Sequence, residues 1–169
     1  RNINPYLVEG SDLVLIKREK PISQVSEMVY GSKPTDGGNL LMTEEEKEDY
    51  LKKEPQGEKW IKLFISAKEF LNGENRWCFW LLDIQPNELK QLPLLLKRVE
   101  QVKKKRLAST KLPTVKLAQF PTLFAEIRQP KSDYIVVPLH SSENRKYIPF
   151  GFFNSNHIIA NSCSCVPNV

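Results

Sequence analysis

The stretch HSSENRKY, residues 140–147, sets hydroxyls, an acid, an amide and two cations between two β-like runs. These are the groups that read base edges: Arg and Lys pair with guanine, Asn with adenine, and Glu with the cytosine amino group. Glu143, Asn144, Arg145 and Lys146 are therefore candidate base readers, although the same composition suits a solvated hairpin loop. A second concentration of chemistry is electrostatic. Residues 97–116 carry Lys97, Arg98, Lys103, Lys104, Lys105, Arg106, Lys111 and Lys116 against one acid, Glu100, while acids crowd into TEEEKEDYLKKE. One face is expected to be strongly positive, which permits nucleic-acid binding without demanding it.

Other chemistries find little support. Glu126 and Lys131 in EIRQPK have the wrong spacing for a metal-dependent nuclease, and Ser141 and Ser142 beside His140 lack the G-x-S-x-G elbow of a nucleophilic hydrolase. Gly37-Gly38 fits neither a P-loop nor a dinucleotide fingerprint. Cys78, Cys163 and Cys165 are too few for a closed zinc site without His140 or His157, so they read as reduced thiols. In a strand, Cys163 and Cys165 would share one face and pack in the core.

The chain has 169 residues and a net charge of +5, a length and balance that suit one globular domain. It contains neither an apolar run long enough to span a membrane nor the apolar core of a signal peptide, and the expectation is a cytoplasmic protein. Arg1 at the start and SCSCVPNV at the end suggest a single domain, residues 1–169, excised from a larger protein.

The elements that must position these residues follow from local pattern. DLVLIKR predicts a strand at about 12–18, stopped by Pro21, and SEMVYG a weaker one. Thr43 and Glu46 form a capping box, predicting a helix over 43–53 that Pro55 ends. Asn72-Gly73 predicts a hairpin turn before a strand over 76–82. From Pro86 the period becomes helical, with Leu89, Leu92, Leu95, Leu96, Val99 and Val102 in a stripe, and Pro93 marks a kink or a new first turn. LFAEIR, YIVVP, YIPFGFF and HIIANSCSCV are short β-like runs. The reading is an α+β domain whose mixed or antiparallel sheet comes mainly from the C-terminal third, flanked by helices near 43–53 and 88–106.

The loop YGSKPTDGGNLLM, residues 30–42, holds too much turn chemistry for a plain connection. It also carries a resemblance. NPYL, YGSKPTDGGNLLMTEEEK, FLNGENRWCFWL, LFAEIRQP and SSENRKYIPFGF occur in this order in the target recognition domain of MmeI-like (type IIL/IIG) restriction-modification enzymes, fusions of an endonuclease, a DNA adenine methyltransferase and a DNA-reading domain. The resemblance implies that this chain is the reading domain alone, cut before the family domain's natural end.

It implies double-stranded DNA and the methyltransferase and nuclease domains of the same chain as partners. It further implies S-adenosylmethionine and Mg2+ for the parent enzyme, with no cofactor or catalytic residue in this fragment. Asn161 and Ser162, after IPFGF, align with positions where related enzymes keep base-reading residues. Lys103, Lys104, Lys105, Arg106, Lys111 and Lys116 would meet phosphates. Lys33 could grip a phosphate, or its loop could hold the domain against the methyltransferase. The alternative expectation is a structural module that packs on a catalytic neighbour without reading bases.

Overall fold

In the computed structural model, which describes residues 2–12, 14, 16–18 and 22–169, the first long helix is α1, Glu44–Lys53. The Thr43 hydroxyl accepts from the Glu46 N–H at 3.2 Å and the Glu46 carboxylate accepts from the Thr43 N–H at 2.9 Å, so the capping box closes as its residue types require. Pro55 opens a 3-10 turn, Pro55–Trp60, which ends α1. Helix α2, Ala67–Asn72, was not expected. Asn72-Gly73 closes it as a helix C-cap with Gly73 at φ 67°, rather than turning a hairpin. A positive φ serves both structures, and local chemistry does not choose between them.

The helix expected near 88–106 is two: α3, Pro86–Lys90, and α4, Pro93–Leu107. Pro93 has no N–H to bond backwards, so it takes the first turn of a new helix. Buried Glu54 reaches across and accepts from the N–H groups of Leu94 and Leu95, donors that no residue at the start of α4 satisfies. A short α5, Leu112–Lys116, and a 3-10 turn, Leu117–Gln119, follow.

The strands are β1 (Val29–Tyr30), β2 (Leu41–Met42), β3 (Ile61–Ile65), β4 (Trp77–Phe79), β5 (Tyr134–Pro138), β6 (Gly151–Phe153), β7 (Ile158–Ile159) and β8 (Cys163–Pro167). They form two four-stranded sheets. One, in the order β1-β8-β5-β6, is antiparallel throughout; the other, β2-β4-β3-β7, is antiparallel except where β3 runs parallel to β7. The α+β class holds, and the first sheet is largely the expected C-terminal one. The second is new and draws β2, β3 and β4 from the N-terminal half. The strand expected over 76–82 shortens to β4, and LFAEIR joins only through an isolated bridge between Lys33 and Glu126. Of the strand expected at 12–18, Leu13, Leu15 and its Pro21 stop lie outside the described residues. Asp12, Val14, Ile16, Lys17 and Arg18 are exposed and in no strand.

The parallel pair β3 and β7 works as a wall. Phe64 and Ile158 face one core with Leu95, Val99 and Val102 of α4, whereas their neighbours Ile65 and Ile159 face a second core with Tyr134, Val136, Cys163 and Cys165. The period of two along a strand makes one short segment serve both. Phe70 on α2 closes the second core edge-to-face on Phe153, with ring centroids 6.0 Å apart.

All three cysteines are free and buried, and Cys163 and Cys165 share the inner face of β8. Burial pushes the Cys163 thiol up to about 11, against a smaller opposing effect of the Ser162 hydroxyl, and raises Cys78 and Cys165 as well. Only thiolates alkylate readily. Iodoacetamide at pH 8 should therefore leave all three cysteines of the folded protein unmodified while labelling them in denaturant. Mass spectrometry showing rapid labelling of Cys163 without denaturant would mean that the second core is open.

Candidate nucleic-acid interface

The buried stripe of α4, Leu95, Val99 and Val102, continues one helical turn further to Arg106, whose side chain is therefore driven inward and is 1% exposed. Nothing apolar can satisfy a guanidinium, so its N–H groups need carbonyls. Nε donates to Thr35 O at 3.0 Å; Nη1 donates to Leu117 O and Phe120 O at 3.1 and 2.8 Å; Nη2 donates to Pro34 O and Leu123 O at 3.0 and 2.7 Å. Every donor of the fork is used. Burial lowers the Arg106 pKa, and the nearby Asp36 carboxylate opposes that effect.

Two turns back on α4, Arg98 Nη1 donates to Asn39 O at 3.1 Å and to Leu41 O at 3.3 Å. The two arginines thus hold both ends of the 34–41 loop along the helix. Inside the loop, buried Asp36 accepts from the Leu40 N–H at 2.6 Å, and the Asn39 side chain donates to Asp36 O at 2.9 Å. Thr35 at φ 44°, Gly37 at 68° and Gly38 at 85° lie in the left-handed region; for β-branched Thr35 that conformation is strained and persists because its carbonyl is gripped.

The same segment is stitched on its other side. Ser32 N–H donates to Ile159 O at 2.7 Å, and Asn161 N–H returns to Ser32 O at 2.9 Å. Gly31 approaches so closely that a Cβ would lie 2.3 Å from Ala160 O. Lys33 and Glu126 exchange backbone bonds at 2.9 and 3.1 Å. On the far side of Asn161, Leu139 N–H donates to Ser162 O at 3.0 Å, at the foot of the long 139–150 loop between β5 and β6. The Ser162 hydroxyl accepts from Ala67 N–H at 3.0 Å, at the first turn of α2, and Arg145 Nη2 donates to Leu71 O at 3.3 Å, at its last.

Backbone hydrogen bonds therefore tie the segment before Lys33 to Asn161, more than a hundred residues further on, and Ser162 to the foot of the loop that carries Glu143–Lys146. Glu143, Asn144, Arg145, Lys146 and Asn161 are all exposed. Ser162 differs: it is half-buried and its oxygen is occupied in capping α2, so it positions the surface instead of projecting from it. Among the cations, Lys33, Lys103, Lys104, Lys105, Lys111 and Lys116 are exposed. Arg106, expected at a phosphate, is not available for one, because its fork is spent on carbonyls. The sequence reading also missed the roles of Arg98 and Glu54. For Arg106 a signal existed, since its spacing from Leu95, Val99 and Val102 continues the apolar face.

Beside the candidate readers the surface turns apolar: Tyr147, Ile148, Phe150 and Phe152 are 75%, 75%, 60% and 72% exposed. Among the described residues no group of three or more His, Cys, Asp or Glu is placed to hold a metal ion, and no helix is long and apolar enough to cross a membrane.

An α+β domain with exposed polar loops and a lysine-rich helix has the side chains that a nucleic-acid recognition module requires. Family comparison agrees: the family described as MmeI, target recognition domain, matches residues 9–169, and the chain belongs to it. It is 39% identical over 160 residues to DNA methyltransferase A of Bacillus subtilis (strain 168), a match covering 95% of this chain and 18% of that protein. A solved structure of the type IIL restriction-modification enzyme MmeI in complex with DNA superposes with a TM-score of 0.90 at 43% identity, over 100% of this chain and 23% of that one. The chain thus spans about a fifth of the length of these relatives.

The arginine fork gives a direct test. Arg106→Met keeps the bulk of the side chain but removes five hydrogen bonds, takes from Thr35 O and Leu123 O the donors they have, and leaves buried Asp36 without its nearby cation, a change that should cost about 3–5 kcal/mol. Arg106→Lys should rescue little of it, because a point charge cannot bond five carbonyls in a plane. Urea unfolding would measure both, and a loss under 1 kcal/mol in either variant would show that the loop does not depend on the fork.

Proposed function

We propose that this domain reads a specific sequence of double-stranded DNA and so directs an adenine methyltransferase and an endonuclease carried on the same polypeptide. The observation that carries this reading is the likeness of the whole chain, at 43% identity, to part of an enzyme solved on DNA, and the exposure of Glu143, Asn144, Arg145, Lys146, Asn161 and Lys33 supports it. Each of these side chains can form the paired or single hydrogen bonds that distinguish base edges in the major groove. Exposed lysines such as Lys33, Lys105 and Lys111 supply the sequence-independent grip on phosphates.

The resemblance of the chain to DNA methyltransferase A supports S-adenosylmethionine as the methyl donor of the attached methyltransferase. Mg2+ would serve the attached endonuclease. The domain's place is with DNA in the cytoplasm. A structural module that reads no bases is less well supported, because the candidate readers are exposed polar side chains, of which Arg145 is tied to Leu71 O, while the apolar residues nearby suffice for contact with other domains.

Replacing Asn161 or Glu143 by Ala in the full-length protein should relax preference at one position of the target site, at about 1–3 kcal/mol for the right base, with the other positions unchanged. Competition binding against a library of single-base variants measures this. Equal loss on every sequence would place both residues outside base reading.

A further inference from the structure

Between the 33–37 loop and the segment that follows α4 lies a cleft of about 630 Å³. Lys33, Lys105 and Lys111 border it from three separate elements, together with the hydroxyls of Ser109, Thr110 and Thr114. Its floor is Arg106, which contributes positive charge but no free donor. Glu126 is the one acid on its wall, and its carboxylate is paired with Arg128 Nη2 at 2.7 Å. Among the described residues no ion pair engages Lys33, Lys105 or Lys111.

We propose that this cleft is a phosphodiester site, where the DNA backbone seats between Lys33, Lys105 and Lys111. The chemistry suits such a ligand. Ammonium groups are point donors to phosphate oxygens, and hydroxyls add neutral donors that fix position. Ser109 Oγ already accepts from the Lys111 N–H at 3.2 Å, which leaves its own O–H to donate. The stem of Lys105 packs where a Cβ on Gly37 would sit, at 2.9 Å, so the loop tip needs glycine there and in turn guides that lysine along the cleft. The cleft also lies on the loop that follows Ser32, whose carbonyl accepts from the Asn161 N–H. Lys103, Lys104 and Lys116 do not border the cleft and are assigned no direct contact.

The inference rests on the DNA-reading function proposed above, and the salt dependence of affinity separates the two. In the full-length protein, each phosphate contact contributes a slope of about −0.9 to log affinity against log salt. Lys33→Gln/Lys105→Gln/Lys111→Gln should flatten the slope by about three units and weaken all sequences alike, with base preference retained. Lys103→Gln/Lys104→Gln should change it by less than one unit. These side chains are exposed, and a thermal melt of each variant checks the fold. An unchanged slope in the triple variant, or flattening in the Lys103/Lys104 variant instead, overturns the cleft and leaves the reading function standing. Absence of DNA binding by the unaltered protein overturns both. Tight binding of inorganic phosphate that does not compete with DNA would assign the cleft to a free anion and overturn the proposal.

Discussion

Burying a guanidinium at the end of a helix forces the surrounding backbone to supply carbonyls, and that demand shapes this domain. Arg106 gathers them from two stretches of chain, 34–35 and 117–123, that share no strand pairing with each other. An irregular backbone brought inside a protein is costly unless each polar group finds a partner. The fork satisfies five carbonyls at once and fixes where both stretches run. Exposed pairs such as Lys52 with Asp49 or Lys68 with Glu74 do nothing comparable, since water and side-chain entropy absorb most of their Coulomb energy.

From that point the arrangement propagates outwards through backbone bonds. A fixed Pro34-Thr35 sets Lys33, whose backbone pairs with Glu126; Ser32 next to it pairs with Ile159 and Asn161; Ser162 meets Leu139 at the foot of the 139–150 loop. The exposed side chains lie on loops, while the β3–β7 wall and the two cores on either side of it are buried. That division lets side chains on the surface vary without disturbing the scaffold, which is how recognition loops commonly sit on folds.

The apolar residues beside the readers have a physical meaning of their own. Tyr147, Ile148 and Phe150 leave an open hollow of about 730 Å³ with Met28, Ile135, Val137 and Val166 on the outer face of the first sheet. Isolated exposed apolar residues are ordinary, but a contiguous set marks a contact surface. The candidate reading residues and this apolar surface thus adjoin along one loop.

Local chemistry alone determined α1, because a capping box and the stop at Pro55 act within a few residues, and it determined β5 and the shared face of the two thiols, because a strand's period of two needs no partner to be read, although the run HIIANSCSCV divides into β7 and β8. It also exposed the unusual content of the 30–42 loop and the polar set at 143–146. Tertiary structure decided the rest. Asn72-Gly73 could end a helix or turn a hairpin, and the packing of Phe70 on Phe153 chose the helix. Arg106 stands in a basic run that reads as one surface, yet its place on the apolar stripe of α4 turned it inward, whereas Lys105 one residue earlier stays at the surface. No local pattern could join Lys33 to Asn161, because hydrogen bonds between segments so distant in sequence exist only once the chain has closed on itself.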